Sequence, residues 1–380
     1  MTALDAPVSK AGERAGPFAA LALGSLAMMV TGLQPLLLTA LADAGRLPHA
    51  LVHPAAFVDM LAMALSVGVC AVVLKPRRLN RWAAGAALLC IAAGLGALLA
   101  RDGQVLALRG VGGLAGGVLV WITVGMIARQ PRPEPWAAAF FLIQSAGLVF
   151  AAAFASSLGP TGGLAFAASL SGLCLAVAPL LSPAMDDLAL AGKRSPDRRG
   201  LLGLTALFLY FAANAALWFK MRDLASAQGL EAISGLVVLT TLVAQMLGAM
   251  AALALADRLG ARRLFGLVVA CLLLACAVLA FRPPAPLFVA AFALLAFAAL
   301  LLGASLFGLL HAADPSRRAG AVSPVAQFLA AALGPLAAGA VADLAGLSAV
   351  LGIAPVLALA AMACAHLSLA KGDPASPDCA

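Results

Sequence analysis

The chain has 380 residues, of which 64% are hydrophobic and 11% charged, with a formal net charge of +8. A soluble domain is about 45–50% apolar and ~25% charged, so this composition excludes a water-soluble fold, and it is too apolar for a disordered one. The apolar runs are continuous rather than alternating, which argues against a transmembrane β-barrel. In such a chain the excess of Lys and Arg speaks of membrane topology rather than of nucleic acid.

Residues 1–16 are polar. Apolar runs follow at about 17–42, 55–74, 83–100, 105–128, 136–156, 163–183, 200–219, 232–255, 264–281, 286–310, 319–341 and 346–368. A helix needs ~20 such residues to cross the hydrocarbon, so the sequence predicts twelve transmembrane helices, numbered here as spans 1–12. The first run is too long for a secretory signal and lacks a small-residue cleavage site, so it reads as span 1. Alternate connections sort the charge. The N-terminus, 75–82, 129–135, 184–199, 256–263, 311–318 and the C-terminus hold 18 Lys and Arg, while the remaining connections hold 5. The positive-inside rule places the first set, with both termini, in the cytoplasm.

The polar stretch 184–199, with Pro and Gly, reads as a linker. It divides the chain into an N-terminal tail (1–16), a six-helix bundle (17–183), a second bundle (200–368) and a C-terminal tail (369–380). Internal matches favour a duplicated unit. Gln34 precedes Asp43 by nine residues and Asn214 precedes Asp223 by nine, while the basic turn at 77–80 aligns with 257–260.

Polar groups in hydrocarbon are costly and therefore informative. Spans 3, 6, 9 and 12 carry no Asn, Gln, Asp, Glu or Arg, as expected of peripheral helices. Gln34, Gln144, Tyr210, Asn214 and Gln327 stand out in the others, either as interhelical hydrogen-bonding groups or as substrate contacts. Pro35, after Gln34, is expected to kink span 1. Asp59 and Arg109 each lie about five residues into their spans, ~6–7 Å below the outer boundary. Three readings are open for them: a static ion pair fastening spans 2 and 4, a proton-accepting carboxylate coupled to the arginine, or snorkelling to the headgroups. The glycines after Arg109, from Gly110 to Gly117, suit close helix approach. The seven cysteines read as packing residues rather than disulfides. His49 and His53 read as residues of an outer loop beside Pro54, and no metal, cofactor or enzymatic constellation is expected.

The segment Leu255-Ala256-Asp257-Arg258-Leu259-Gly260-Ala261-Arg262-Arg263 resembles the cytoplasmic loop motif of the major facilitator superfamily, glycine–x–leucine–alanine–aspartate–arginine–x–glycine–arginine. Leu253 stands at the leading glycine, and the first-half copy, residues 75–81, has no aspartate. The Arg109 segment is similar to the family's span-4 motif, with Gly113 at its fourth position. The antiporter signature of span 5 is missing, since Phe140 to Gly147 contain no Gly-Pro pair. The resemblance covers spans 1–12. It implies an all-α fold of two pseudo-symmetric six-helix bundles, with spans 1, 4, 7 and 10 around a cavity and 3, 6, 9 and 12 outside it. It also implies gating by Asp257, Arg258 and Gly260, and links Arg109 to proton transfer; Asp59 and Arg109, the only charges within the spans, are the candidates for proton coupling. The expected function is secondary transport of a small organic solute by alternating access, coupled to protons. The expected setting is a monomer in the cell inner membrane, its partners the solute, protons and the bilayer. A facilitative carrier, or a receptor or scaffold that transports nothing, is the alternative.

Overall fold

A computed structural model describes residues 10–75, 77–185 and 195–370, with side chains at 10–15, 35, 156, 160, 256 and 257 left aside. Twelve helices among these residues are long and apolar enough to cross a membrane. They are Gly16–Asp43, His49–Val73, Leu79–Ala97, Gly103–Ala128, Pro133–Ala155, Thr161–Leu180, Arg198–Phe219, Glu231–Leu255, Arg258–Ala280, Ala285–Ala313, Arg318–Ala345 and Leu347–Ser368. The chain is a multi-pass membrane protein.

Several helices begin before their apolar runs. Hydrophobicity marks only the lipid-matched part of a helix, whereas backbone hydrogen bonding continues to the next break. Span 2 shows this most clearly. It begins at His49, after the extended Pro48, and carries Pro54 inside it. His49 and His53 are therefore helical, not loop residues as the sequence suggested. Pro54 is the sixth residue of this helix, past the N–H groups that lack partners, so it removes the one hydrogen bond that would reach Ala50 O without ending the helix. Span 1 does break. Its helix stops at Gly32 and resumes at Gln34, with Pro35 in the first turn of the second piece. Span 7 starts on a side-chain cap, Asp197 Oδ1 accepting from Gly200 N at 2.7 Å. Spans 8 and 9 run as one helical stretch, Ser234–Ala280, whose one non-helical residue is Gly260 (φ 69°, ψ 161°).

Spans 1–6 pack on one another and spans 7–12 do the same. The halves meet where span 2 lies on 11 and span 5 on the helical stretch of spans 8 and 9, with further contact of 4 with 11 and 5 with 10. These pairs exchange under a two-fold relation that maps each half onto the other, so the architecture is two pseudo-symmetric six-helix bundles. Spans 4 and 10 occupy equivalent places and are the most enclosed, with 78% and 61% of their apolar windows buried.

Small residues allow this packing. Span 4 presents Gly113 and Gly117, one turn apart, to span 2. A Cβ on Gly113 would lie 2.8 Å from Asp59 Oδ1, and one on Gly117 2.6 Å from Ser66 Cβ. Hydrogen bonds then fix the contact, since hydrocarbon offers helices no hydrophobic drive to associate. Ser66 Oγ donates to Leu114 O at 2.6 Å, and Thr123 Oγ1 to Ala20 O of span 1 at 2.8 Å.

Candidate functional site

Asp59 is buried on span 2, 5% exposed. It lines a small cavity of about 40 Å³ with Arg109 of span 4, Thr31 of span 1, Cys90 of span 3, and Ser171 and Cys174 of span 6. That is room for a few water molecules. All of its walls come from the first bundle. The neutral polar groups there are already engaged with backbone. Thr31 Oγ1 donates to Ala27 O at 3.2 Å and Ser171 Oγ to Ala167 O at 3.3 Å. The thiols of Cys90 and Cys174 point to Gly112 O and Leu23 O, at 3.9 and 3.8 Å.

The two charged groups are not so engaged. Asp59 makes no hydrogen bond or ion pair among the described residues, and Arg109 Nε is buried without a partner. The ion pair that equal depth suggested is not formed. Its physical reason lies in the helix ends: span 2 starts six residues earlier than its apolar run, so Asp59 sits about 15 Å along its helix and Arg109 only about 9 Å along its own. The two charges face each other across the cavity instead. A buried carboxylate and a half-buried arginine thus share a space with room for water, where the carboxylate feels the field of the guanidinium more strongly than in bulk water.

The other sequence candidates lie elsewhere and do not line this cavity. Gln34 is buried just after the break in span 1, with Nε2 unpartnered, and Gln144 on span 5 has Oε1 buried and unpartnered. Spans 1 and 5 are neighbours. Asn214 of span 7 donates from Nδ2 to Leu295 O of span 10 at 3.2 Å. Tyr210 is fully buried, its hydroxyl donating to Val268 O of span 9 at 3.5 Å beside the ring of Phe265. Gln327 is half-buried on span 11.

In the loop motif, the side chain of Asp257 falls outside the described residues, and Arg258 and Gly260 are exposed. Gly260 has a positive φ, which a side chain would strain. It lines a second cavity of about 180 Å³ between the halves, with Glu134 of span 5 and Ser305 and Gly308 of span 10. Sequence reasoning counted Arg317 only among the connection charges and passed over Glu134, yet both stand where the halves meet. At the opposite end of the helices, the rings of His53 (span 2) and Phe219 (span 7) touch at 4.7 Å between centroids.

No family model matches the sequence, and no curated protein resembles it closely enough to count as a match. Solved structures do match. One is the human organic anion transporter MFSD10, to which this chain is similar with TM-score 0.70 and 18% identity, over 95% of this chain and all of that one. A second is the proton:xylose symporter XylE bound to 6-bromo-6-deoxy-D-glucose, with TM-score 0.72 and 13% identity, over 93% of this chain and 96% of that one. A third is the transporter FucP in its outward conformation, with TM-score 0.70 and 14% identity, over 93% of this chain and 99% of that one.

The chain has the major facilitator fold. At identities of 13–18% the likeness is one of architecture, and it spans both bundles. Within the major facilitator fold the Asp59–Arg109 cavity lies inside one bundle, off the seam between the halves. Gln34, Gln144, Tyr210, Asn214 and Gln327 are spread over spans 1, 5, 7 and 11 of the two bundles.

Proposed function

We propose that this protein is a secondary transporter of a small organic solute, working by alternating access of its two halves and driven by protons. The observation that supports transport is the whole-chain likeness to three transporters. Support for proton coupling is the unengaged Asp59 beside Arg109 in an otherwise satisfied cavity. Gln34 and Gln144 keep buried polar atoms free and are the proposed solute contacts, joined by Gln327 when the halves part. Asn214 and Tyr210 complete the set by bracing span 7 against spans 10 and 9. Loop residues Asp257, Arg258 and Gly260 act in gating. The proposed bundles are 17–183 and 200–368, joined by the linker 184–199, of which 186–194 lie outside the described residues; the basic face, with both termini, is cytoplasmic in an inner membrane, the chain acting as a monomer.

The test begins with a thermal-shift screen of organic anions and sugars against the purified protein, since a ligand of the native state raises its apparent stability. A hit then enters transport assays in proteoliposomes. Wild type should accumulate the solute under an imposed pH gradient. Asp59→Asn should lose that accumulation and retain solute exchange at equal pH. Unchanged pH-driven accumulation in Asp59→Asn refutes the coupling role. Wild-type uptake indifferent to the gradient makes the protein a facilitative carrier.

A further inference from the structure

The connection between spans 10 and 11 forms a contact between the halves that no sequence motif announced. It starts at Asp314, which is 2% exposed. Asp314 Oδ1 accepts from Ser316 N at 3.1 Å and from Ser316 Oγ at 2.6 Å, and Oδ2 accepts from Ala319 N at 3.0 Å. One carboxylate thus folds the turn and caps the start of span 11, where free N–H groups and the helix dipole favour negative charge. Gly200 makes room for it, because a Cβ there would lie 2.9 Å from Asp314 Cβ.

The turn holds Arg317 in the left-handed backbone region, φ 62°, a conformation that costs a non-glycine residue free energy and persists only where its surroundings enforce it. From that position the side chain crosses to the other half. Nη1 donates to Gln130 O at 2.9 Å and lies 3.5 Å from Ala128 O. Ala128 ends the helix of span 4. The guanidinium therefore sits on carbonyls left unpaired by a helix C-terminus, at the negative end of its dipole. Close approach is built in at the next residues, where a Cβ on Gly320 would meet Ala128 Cβ at 3.9 Å and the ring of Phe307 at 3.2 Å.

The two-fold related place is different. There the connection between spans 4 and 5 brings Glu134 towards span 10, and the seam is hollow, holding the 180 Å³ cavity. Ser305 Oγ, 94% buried, has no partner among the described residues. One side of this face is bonded across the halves by Arg317, while the other encloses this cavity.

We propose that the Asp314–Arg317 turn is the latch that holds this face of the carrier shut, Arg317 being the gating residue and Asp314 its positioning residue. The inference rests on the alternating-access reading. For this face to open, spans 4 and 11 must separate here, and Arg317 must leave the two carbonyls. Asp314, whose bonds are all within its own half, keeps the turn preformed for reclosing.

Hydrogen–deuterium exchange on the full chain in lipid nanodiscs, without solute, tests this. Arg317→Ala removes charge-assisted hydrogen bonds and should speed exchange of amides 126–132, in the other half, by about tenfold or more. Arg317→Lys, whose ammonium can reach one carbonyl, should give a smaller rise and guards against misfolding of the alanine variant. Unchanged exchange at 126–132 in the folded variants, or faster exchange confined to 314–321, overturns the latch. Because no solute is present, failure of the transport reading leaves this outcome interpretable, and failure of the latch leaves transport standing.

Discussion

Alanine at Gly113 is expected to push spans 2 and 4 apart, whereas alanine one residue earlier is not. The Gly113 Cβ would fall 2.8 Å from Asp59 Oδ1 and 2.9 Å from Ala62 Cβ, and against the Asp59 carbonyl oxygen as well. Ordinary carbon contacts are about 3.5–4.0 Å, so relief requires a shift of roughly 0.6–1 Å. The backbone of span 2 is one of the obstacles, so a rotamer change does not provide that shift. Overpacking of this kind costs about 1–3 kcal/mol. At Gly112 the nearest atom is Ala93 Cβ at 3.8 Å, an ordinary contact. There alanine gains up to about 1 kcal/mol of helix propensity. The assay is the thermal midpoint of each purified variant in one detergent. Gly113→Ala should melt several degrees below wild type, with Gly112→Ala at or above it. A Gly113→Ala midpoint equal to that of Gly112→Ala refutes the reasoning. Because the displaced neighbour is Asp59, Gly113→Ala should also weaken pH-driven uptake beyond its effect on protein yield.

Two further outcomes are expected. Arg46 Nη2 donates to Ala97 O and Ala100 O at 3.1 Å each, and to Leu98 O, closing the end of span 3. Arg46→Ala should cost about 1.5–3 kcal/mol and speed amide exchange at 97–105, and unaltered exchange there would show the cap to be idle. Impermeant reagents directed at single introduced cysteines within 75–82 should label only from the cytoplasmic side, and labelling from outside would reverse the topology.

The twelve spans were legible because continuous apolar runs leave little choice in a bilayer. Their ends were not, since a helix stops where backbone geometry changes rather than where hydrophobicity does. His49 and Pro54 belong to a helix for that reason, and Asp59 consequently lies deeper than Arg109. The glycines of span 4 announced close approach without saying that Asp59 and Ser66 were the residues approached. Arg46 and Arg317 were invisible as structural residues, because their acceptors are backbone carbonyls that leave no trace in residue type. Polar residues of the spans separated into those already satisfied, such as Asn214 and Thr123, and those with unused hydrogen-bonding capacity, such as Gln34, Gln144 and Asp59. Only packed coordinates make that distinction.

The join at Gly260 has a mechanical consequence. Spans 8 and 9 share one residue of non-helical backbone, so the chain between them has no slack. Their common helical stretch rests on span 5 at the seam and is packed along spans 10 and 12. Sliding of span 8 is therefore passed on both through its close contact with span 10 at Gly248 and through the short join at Gly260 to span 9. The two helices behave as a crank, carrying displacement from the seam to the outer wall of the second bundle.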